Sequence, residues 1–411
     1  MNMQVDNNLS RYFISAIFII LFISCGSDNI NQSGDNDPDQ EEEVLDISLP
    51  KALFTEPGKI ENQLPSTIIM DQLISLVNAT PRGASLYMSI YHFEYPELVK
   101  ALKDAHNSGV AVHVLIDASD RSKGNIDTIQ KLKNFGEDVD VIGITNDASK
   151  TAINHNKSVI FSKIETESGE VNNVIFSSSH NFTKSGIKKI QDAVILQHKG
   201  LYNAFLDYWE DMKSLSSSGM VNYNYRSYND PESEITAYFH PKRKNGRYYD
   251  GDTIVEILNN ITDPSSATIK IGMSVWYGSR PKILPAINKL IDQGADFEII
   301  TKSSNNNEVL NELRNIANKG AMVKIYNMDS SSPIPKINIH SKFMLIEGEW
   351  KGDQRKVLVN GTQNFGKNAL RNNGETTLLL LDHPLFDAYE EYFEEIEGLP
   401  GICCQQRDHK F

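Results

Sequence analysis

The chain has 411 residues, of which 40% are apolar and 23% charged, with only three cysteines. That length predicts two or three domains, and so few cysteines exclude a disulfide-stapled scaffold. Forty Lys and Arg against 54 Asp and Glu give a formal charge of −14, which argues against a strongly basic nucleic-acid binder.

Residues 12–24, YFISAIFIILFIS, follow Arg11. Thirteen helical residues rise about 20 Å, short of a bilayer core, so residues 1–24 are expected to be a secretory signal rather than a membrane span. Ser24-Cys25-Gly26 follows at once and resembles a bacterial lipobox, with Phe22 where Leu is usual. The resemblance implies cleavage before Cys25, lipidation of its sulfur, and export to the cell envelope, at the outer membrane or cell surface. A plain signal peptide with an incidental Cys is the competing reading. Residues 26–46 then carry eight acids and no base, so 25–48 is expected to be an acidic disordered tether. Without those acids the chain carries only about −6. Such a tether would hold an anchored body off an anionic surface, although a merely solubilising linker fits equally well.

The body repeats itself at an offset of 185 residues. Met88-Ser89-Ile90-Tyr91 recurs as Met273-Ser274-Val275-Trp276; Leu98, Ala101 and Leu102 recur as Ile283, Ala286 and Ile287; Gly109 recurs as Gly294. A period this long means two copies of one domain rather than a solenoid. The copies are expected over 49–215 and 236–411, joined by a linker at 216–235. In each, an apolar strand (Leu86–Tyr91; Ile269–Trp276) precedes a helix opened by Pro96 or Pro281 and closed by Gly109 or Gly294. A second strand follows (Val110–Ile116; Asp296–Ile300), making a β-α-β unit and an α/β fold with helices over a sheet. Tyr91 and Trp276 are expected in the core, and Tyr202, Phe205, Tyr208 and Trp209 on a helix packed against the sheet.

The repeated polar residues carry the chemistry. His155 and Lys157 recur as His340 and Lys342, again at 185, each at the head of an apolar hairpin. The hairpins end on Ser178-Ser179-His180-Asn181 and Gly361-Thr362-Gln363-Asn364, and an acid, Asp192 or Glu375, stands eleven residues past each Asn. Period two puts each His and Lys on one strand face. An imidazole beside a fixed cation suits a phosphate ester: His attacks phosphorus, while Lys157, Lys342, Asn181 and Asn364, assisted by Ser179 and Thr362, stabilise the non-bridging oxygens. A carboxylate from Asp192 or Glu375 would fix the tautomer and orientation of a histidine. One His cannot be both nucleophile and acid for one leaving group, so two facing copies solve the problem. A third match, His240-Pro241-Lys242, leads into a basic Gly-containing stretch rather than an apolar strand and is set aside as a loop patch. The remaining histidines lack a ligand constellation, so no metal and no cofactor is expected. Cys403-Cys404 are expected unbridged.

The paired motifs resemble the phospholipase D superfamily, whose signature is H-x-K-x4-D with a downstream G-S-x-N, usually present twice. The resemblance implies two tandem α/β/α sandwich domains related by a pseudo-two-fold axis, one active site at their interface, a phosphohistidine intermediate, a second His as general acid then base, and no metal. Four positions depart from the pattern: Ser162 and Glu347 stand at the motif Asp, Ser178 replaces Gly, and Thr362 replaces Ser while keeping the hydroxyl. The expected function is an exported phosphodiesterase, held at the membrane by its N-terminal lipid anchor, that acts on phospholipid head groups or another phosphodiester, and a monomer is expected. The alternatives are a nuclease, which the body's mild acidity disfavours, a phosphatidyltransferase, and an inactive lipoprotein that binds phosphate ligands.

Overall fold

In the computed structural model, residues 46–136, 139–144, 152–217 and 219–402 are described. The signal-like run, Cys25, most of the acidic tether and Cys403-Cys404 lie outside them. Among the described residues no helix is long and apolar enough to cross a membrane.

The first half builds a seven-stranded sheet from β1 (Lys51–Phe54), β2 (Ser85–Ile90), β3 (Ala111–Asp117), β4 (Asp140–Ile144), β5 (Lys157–Thr166), β6 (Gly169–Ser178) and β7 (Asp192–Gln197). Its spatial order is β1-β7-β6-β5-β2-β3-β4, with β2, β3 and β4 mutually parallel and the rest antiparallel. The parallel pairs need crossovers, which the helices Pro96–Asn107 and Asn125–Lys133 supply.

The second half repeats the plan. Edge strand β8 (Arg226–Asp230) and β9 (Ile235–His240) come first, then a small hairpin of β10 (Arg243–Lys244) and β11 (Arg247–Tyr248). The remaining strands are β12 (Ile261–Met273), β13 (Asp296–Lys302), β14 (Met322–Tyr326), β15 (Lys342–Trp350), β16 (Asp353–Gly361) and β17 (Glu375–Leu381). Their order, β14-β13-β12-β15-β16-β17-β9-β8, matches the first sheet strand for strand, with β8 added at the edge. Thus part of the expected linker is a strand, paired to β9 and fixed by an Arg226–Asp211 ion pair.

Apolar side chains alternate between the two faces of each sheet. Along β5 and β6, Ile160 and Ile175 face one cluster while Val159, Phe161, Val174 and Phe176 face another. Both faces are therefore buried, as near-continuous apolar strands require. Helices Ile68–Asn78 and Pro96–Asn107 cover the outer face of the first sheet, and Ile283–Asp292 and Asn307–Asn318 that of the second. The cluster shared by the two halves contains Lys199–Ser214 and Leu385–Glu397, with Tyr202, Phe205, Tyr208 and Trp209 buried in it as the apolar pattern predicts.

Local signals mostly hold. Pro96 opens its helix, and Gly109 and Gly294 take φ of +92° and +101°, the left-handed conformation that ends a helix. Pro281 does not open one: its helix starts at Ile283, after a turn in which Arg280 is drawn into a buried ion pair with Asp252.

Candidate active site

Each half delivers its motif from the same place, just ahead of the long hairpin. Lys157 is the first residue of β5 and Lys342 the first of β15, so His155 and His340 precede the strands rather than lying on them. There the chain bridges to the opposite half: Asn154 pairs with Gly374, and Ile339 with Ile190. The His155 N–H donates to the Gly374 carbonyl at 2.8 Å and the His340 N–H to the Ile190 carbonyl at 2.9 Å. Each histidine is held by backbone from the half to which it does not belong.

The acid of the second half serves the histidine of the first. Glu375, wholly buried, accepts on Oε2 from His155 Nδ1 at 2.8 Å and from Thr362 Oγ1 at 2.7 Å, and on Oε1 from Asn373 Nδ2 at 2.9 Å. Burial alone would raise its carboxyl, but His155, Lys157 and Asn373 together bring it below the usual range, so it is ionised. An ionised carboxylate only accepts. The proton of His155 therefore sits on Nδ1 and the free lone pair on Nε2. Burial holds this ring neutral, its pKa pushed down to about 4 against the pull of Glu375. Nε2 is thus a nucleophile over the whole neutral range.

His340 is set the other way. It is half-buried, and its Nδ1 lies 3.3 Å from Lys342 Nζ, which also donates to the His340 carbonyl. An amine N–H aimed at Nδ1 makes that atom an acceptor and leaves the proton on Nε2. Burial and the surrounding Lys342, Lys189, Lys302 and Lys157 hold His340 neutral, well below its ordinary pKa. One half thus presents a ring nitrogen with a lone pair and the other a ring N–H, the division of labour that attack and protonation need. The two motifs share one electrostatic centre: Lys342 acts on His155 and Lys157 on His340.

Asp192 is not the mirror image of Glu375. Its Oδ2 accepts from Tyr389 Oη at 3.0 Å, its Oδ1 has no partner, and no bond joins it to His340. Burial raises its carboxyl even though Ser179, Tyr389 and Lys342 oppose the rise. Only one of the two acids expected to orient a histidine does so, because Asp is one methylene shorter and the Lys342 amine occupies the ring nitrogen. Ser179 and Thr362 also differ from expectation. Ser179 Oγ accepts the Asp192 N–H at 3.0 Å, and Thr362 Oγ1 accepts the Thr376 N–H at 3.1 Å while donating to Glu375. Their hydroxyls are spent positioning acids rather than free for phosphate.

Lys157 is fully buried, and its ammonium donates to the His155 carbonyl at 2.5 Å. Burial lowers it to about 7 despite Glu375. Asn181 and Asn364 each keep an Oδ1 without a partner. A cleft of about 340 Å³ opens at His155, lined also by Asn364, Asn373, Tyr277, Lys367 and Arg121; His340 lies outside this lining.

Several contributors escape the sequence patterns. Tyr91, expected in the core, is half-buried with its ring 5.2 Å from that of His155 and 5.5 Å from Lys157 Nζ, whereas Trp276 is buried as expected. Asn373 could have been found from its place two residues before Glu375, on the same face by strand periodicity. The two departures at the motif Asp prove remote. Ser162 lies five residues beyond Lys157, roughly 17 Å along β5, where its Oγ accepts the Ser85 N–H; Glu347 is exposed. The third His-x-Lys is structural: His240 is buried at the end of β9 with no ring partner, and Lys242 is paired with Glu256 at 2.8 Å.

Two copies of one sheet topology, each contributing a His-x-Lys pair to a common centre, define the duplicated phospholipase D-like architecture. The family described as "Cardiolipin synthase, PLD-like domain" matches residues 73–214 and 257–397, well over half the chain, and the protein belongs to this phospholipase D-like family. Among solved structures the chain is similar to phosphatidylserine synthase from Haemophilus influenzae Rd KW20, at 13% identity and TM-score 0.55, over 87% of this chain and 89% of that one. It is also similar to polyphosphate kinase from Porphyromonas gingivalis, at 12% identity and TM-score 0.53, over 84% of this chain but only half of the kinase. A phospholipase D family member from Salmonella typhimurium matches at 24% identity and TM-score 0.31, over 40% of this chain and 95% of that one. No curated protein matches the chain significantly.

Proposed function

We propose that the protein is an exported, lipid-anchored phosphodiesterase that cleaves phospholipid head groups through a phosphohistidine on His155. The observation that carries this reading is the different partner of each ring: Glu375 Oε2 stands 2.8 Å from His155 Nδ1 and Lys342 Nζ stands 3.3 Å from His340 Nδ1, which supports a lone pair on His155 Nε2 and a proton on His340 Nε2. His155 Nε2 attacks phosphorus, and the bond to the leaving oxygen breaks as His340 Nε2–H protonates it while Lys342 Nζ passes a proton to His340 Nδ1, so that the ring stays neutral and is left with a lone pair on Nε2. His340, now a base at Nε2, takes a proton from water as the water oxygen attacks the phosphohistidine and releases His155, and its Nδ1 proton returns to Lys342. Lys157, Lys342, Asn181 and Asn364 steady the oxygens on which charge builds. Export and anchoring rest on residues 12–24 and Cys25 of the sequence. Phosphatidyl transfer to an alcohol is the same chemistry with a different acceptor, and the similarity to a phosphatidylserine synthase favours keeping it as the second reading.

The test is a substrate panel with the purified chain in chelator: phosphatidylcholine, cardiolipin and single-stranded DNA, with and without added glycerol or serine. Head-group release that His155→Ala and His340→Ala both abolish is the expected result. Capture of the phosphatidyl group by the added alcohol in preference to water assigns transfer. Turnover of DNA alone, or full activity in either variant, refutes the proposal.

A further inference from the structure

The second half carries a piece that the first lacks. After β9 the chain passes through His240-Pro241-Lys242 into the hairpin of β10 and β11, and among the described residues the first sheet has no equivalent. The hairpin is clamped to the short helix Lys367–Arg371, which follows the second tetrad. The Lys242 N–H donates to the Leu370 carbonyl at 2.8 Å, Arg243 Nε donates to the Arg371 carbonyl at 2.7 Å, and the Arg371 guanidinium donates to the Tyr249 and Gly251 carbonyls. Held this way, the hairpin presents Tyr248 and Tyr249 to solvent, 49% and 44% exposed. Tyr277, 53% exposed, lies flat against Gly366, where a Cβ would stand only 2.6 Å from its ring.

Lys367 joins this patch to the site. It lines the cleft of about 340 Å³ at His155 together with Tyr277, and its Nζ stands 5.4 Å from the centre of the Tyr248 ring. Lys244 Nζ stands 5.9 Å from the centre of the Tyr249 ring, and exposed Arg247 is paired across the hairpin with Lys244. Of the acids between 240 and 256, Glu256 is taken by Lys242 at 2.8 Å and Asp252 by Arg280 at 2.7 Å, which leaves Asp250 against Lys244, Arg247 and Lys367. A net positive, tyrosine-bearing patch thus adjoins the cleft on a chain whose formal charge is −14. Exposed apolar residues scattered singly need no explanation, but a cluster beside a site marks an interaction surface. Tyrosine joins an apolar ring to a polar tip, which suits the headgroup level of a bilayer, and cations are drawn to anionic lipid. A single-stranded nucleic acid needs open ring faces for its bases, whereas Arg243, Lys367 and Arg371 already stand 4.8, 5.4 and 5.8 Å from the Tyr248 ring centre.

We infer that Tyr248, Tyr249 and Tyr277, with Lys244, Arg247 and Lys367, form a docking face that seats the mouth of the His155 cleft on a bilayer containing anionic lipid. This deepens the proposed diesterase reading and rests on it for the reason that a membrane-borne phosphodiester should reach that cleft. Because the hairpin is tied to the helix by hydrogen bonds at both of its strands, the face is formed before it meets the membrane and little ordering cost attends docking.

Trp209, Trp276 and Trp350, the native tryptophans, are all buried, so a Trp introduced at the surface reports its own surroundings. The full chain carrying Tyr248→Trp is mixed with vesicles of phosphatidylcholine brominated on its acyl chains, with and without about 30% phosphatidylglycerol to supply negative charge. Quenching is expected to be at least threefold stronger with phosphatidylglycerol, and to weaken as salt rises from about 0.05 to 0.5 M. Glu167→Trp, exposed at the tip of the β5-β6 hairpin and about 33 Å along the strand from Lys157, stays unquenched and so controls for tethering of the chain by its N-terminus. Lys244→Gln combined with Arg247→Gln, both exposed and outside the cleft lining, weakens docking about 25-fold, at about fivefold per cation near an anionic surface, and removes most of the quenching. Equal quenching of Tyr248→Trp and Glu167→Trp, quenching indifferent to phosphatidylglycerol, or quenching that survives the double variant overturns the inference. A response of Tyr248→Trp to single-stranded DNA and none to vesicles assigns the face to nucleic acid and overturns it as well. Turnover of bis(p-nitrophenyl) phosphate in free solution is measured alongside. Turnover without docking sinks the docking face alone, and docking without turnover of any diester sinks the diesterase reading while the face stands.

Discussion

Replacing Glu375 with Gln tests the asymmetry of the two histidines most directly. The substitution keeps the shape and removes the charge. Glu375 accepts three hydrogen bonds, from His155, Thr362 and Asn373, and a Gln amide has only one accepting atom. Asn373 cannot simply turn over to compensate, because its Oδ1 accepts the Ile153 N–H at 3.2 Å. At best the amide oxygen keeps His155 Nδ1–H and a neutral hydrogen bond replaces a charge-assisted one. That difference is about 1–1.5 kcal/mol, or about 5- to 12-fold in rate at 1.4 kcal/mol per decade. Initial rates of p-nitrophenol release from bis(p-nitrophenyl) phosphate measure it, with circular dichroism confirming the fold. Glu375 also favours the protonated form of His155, so its removal moves the acid limb of the rate profile further down in pH. Asp192→Asn, which breaks no bond to His340, is expected to cost much less. A loss below about threefold for Glu375→Gln, or an equal loss for both variants, would refute the assignment of His155 as the histidine poised by a carboxylate.

Three further outcomes follow from the same structure. With bis(p-nitrophenyl) phosphate, whose leaving group departs without protonation, His340→Ala should accumulate a phosphohistidine that His155→Ala cannot form; acid-quench phosphopeptide mapping reads this, and trapping on His340 would reverse the roles. The kcat/KM profile should rise through about pH 4, where burial places His155, and fall through about pH 7 as Lys157 loses its proton; a midpoint near 6.5 on the acid side would contradict it. Stability should decline as pH drops below about 6.5, because His180 and His240 are buried without ring partners and held down to about 3 while the unfolded chain binds those protons. Each contributes a slope of about 1.4 kcal/mol per pH unit between those limits, and thermal midpoints that stay flat from pH 7 to 5 would exclude it.

The glycine that begins the second tetrad gives a prediction on the fold itself. Gly361 takes φ of +154°, and a Cβ there would lie 2.2 Å from the Thr376 carbonyl oxygen. Gly361→Ala should therefore destabilise by at least the 1–3 kcal/mol or so typical of overpacking. Ser178, its counterpart, takes no positive φ and uses its Oγ to donate to the Lys157 carbonyl at 3.2 Å, so Ser178→Ala should cost only about 1 kcal/mol. Urea midpoints of the pair check the order, and equal midpoints would contradict it.

The sequence by itself determined the duplication, the α/β character of each half and the residues that meet at the centre. Those features are written in short-range periodicity and in one repeated offset, and neither depends on how the halves meet. Tertiary structure alone decided which acid serves which histidine, because Glu375 and His155 are 220 residues apart and belong to different copies. It also decided that Ser179 and Thr362 hold Asp192 and Glu375, that Tyr91 sits half-buried beside His155 instead of in the core, and that Ser162 is remote from the chemistry. Proton placement on an imidazole depends on which group stands within about 3 Å of each nitrogen, and a motif shared by two copies cannot encode the difference between them.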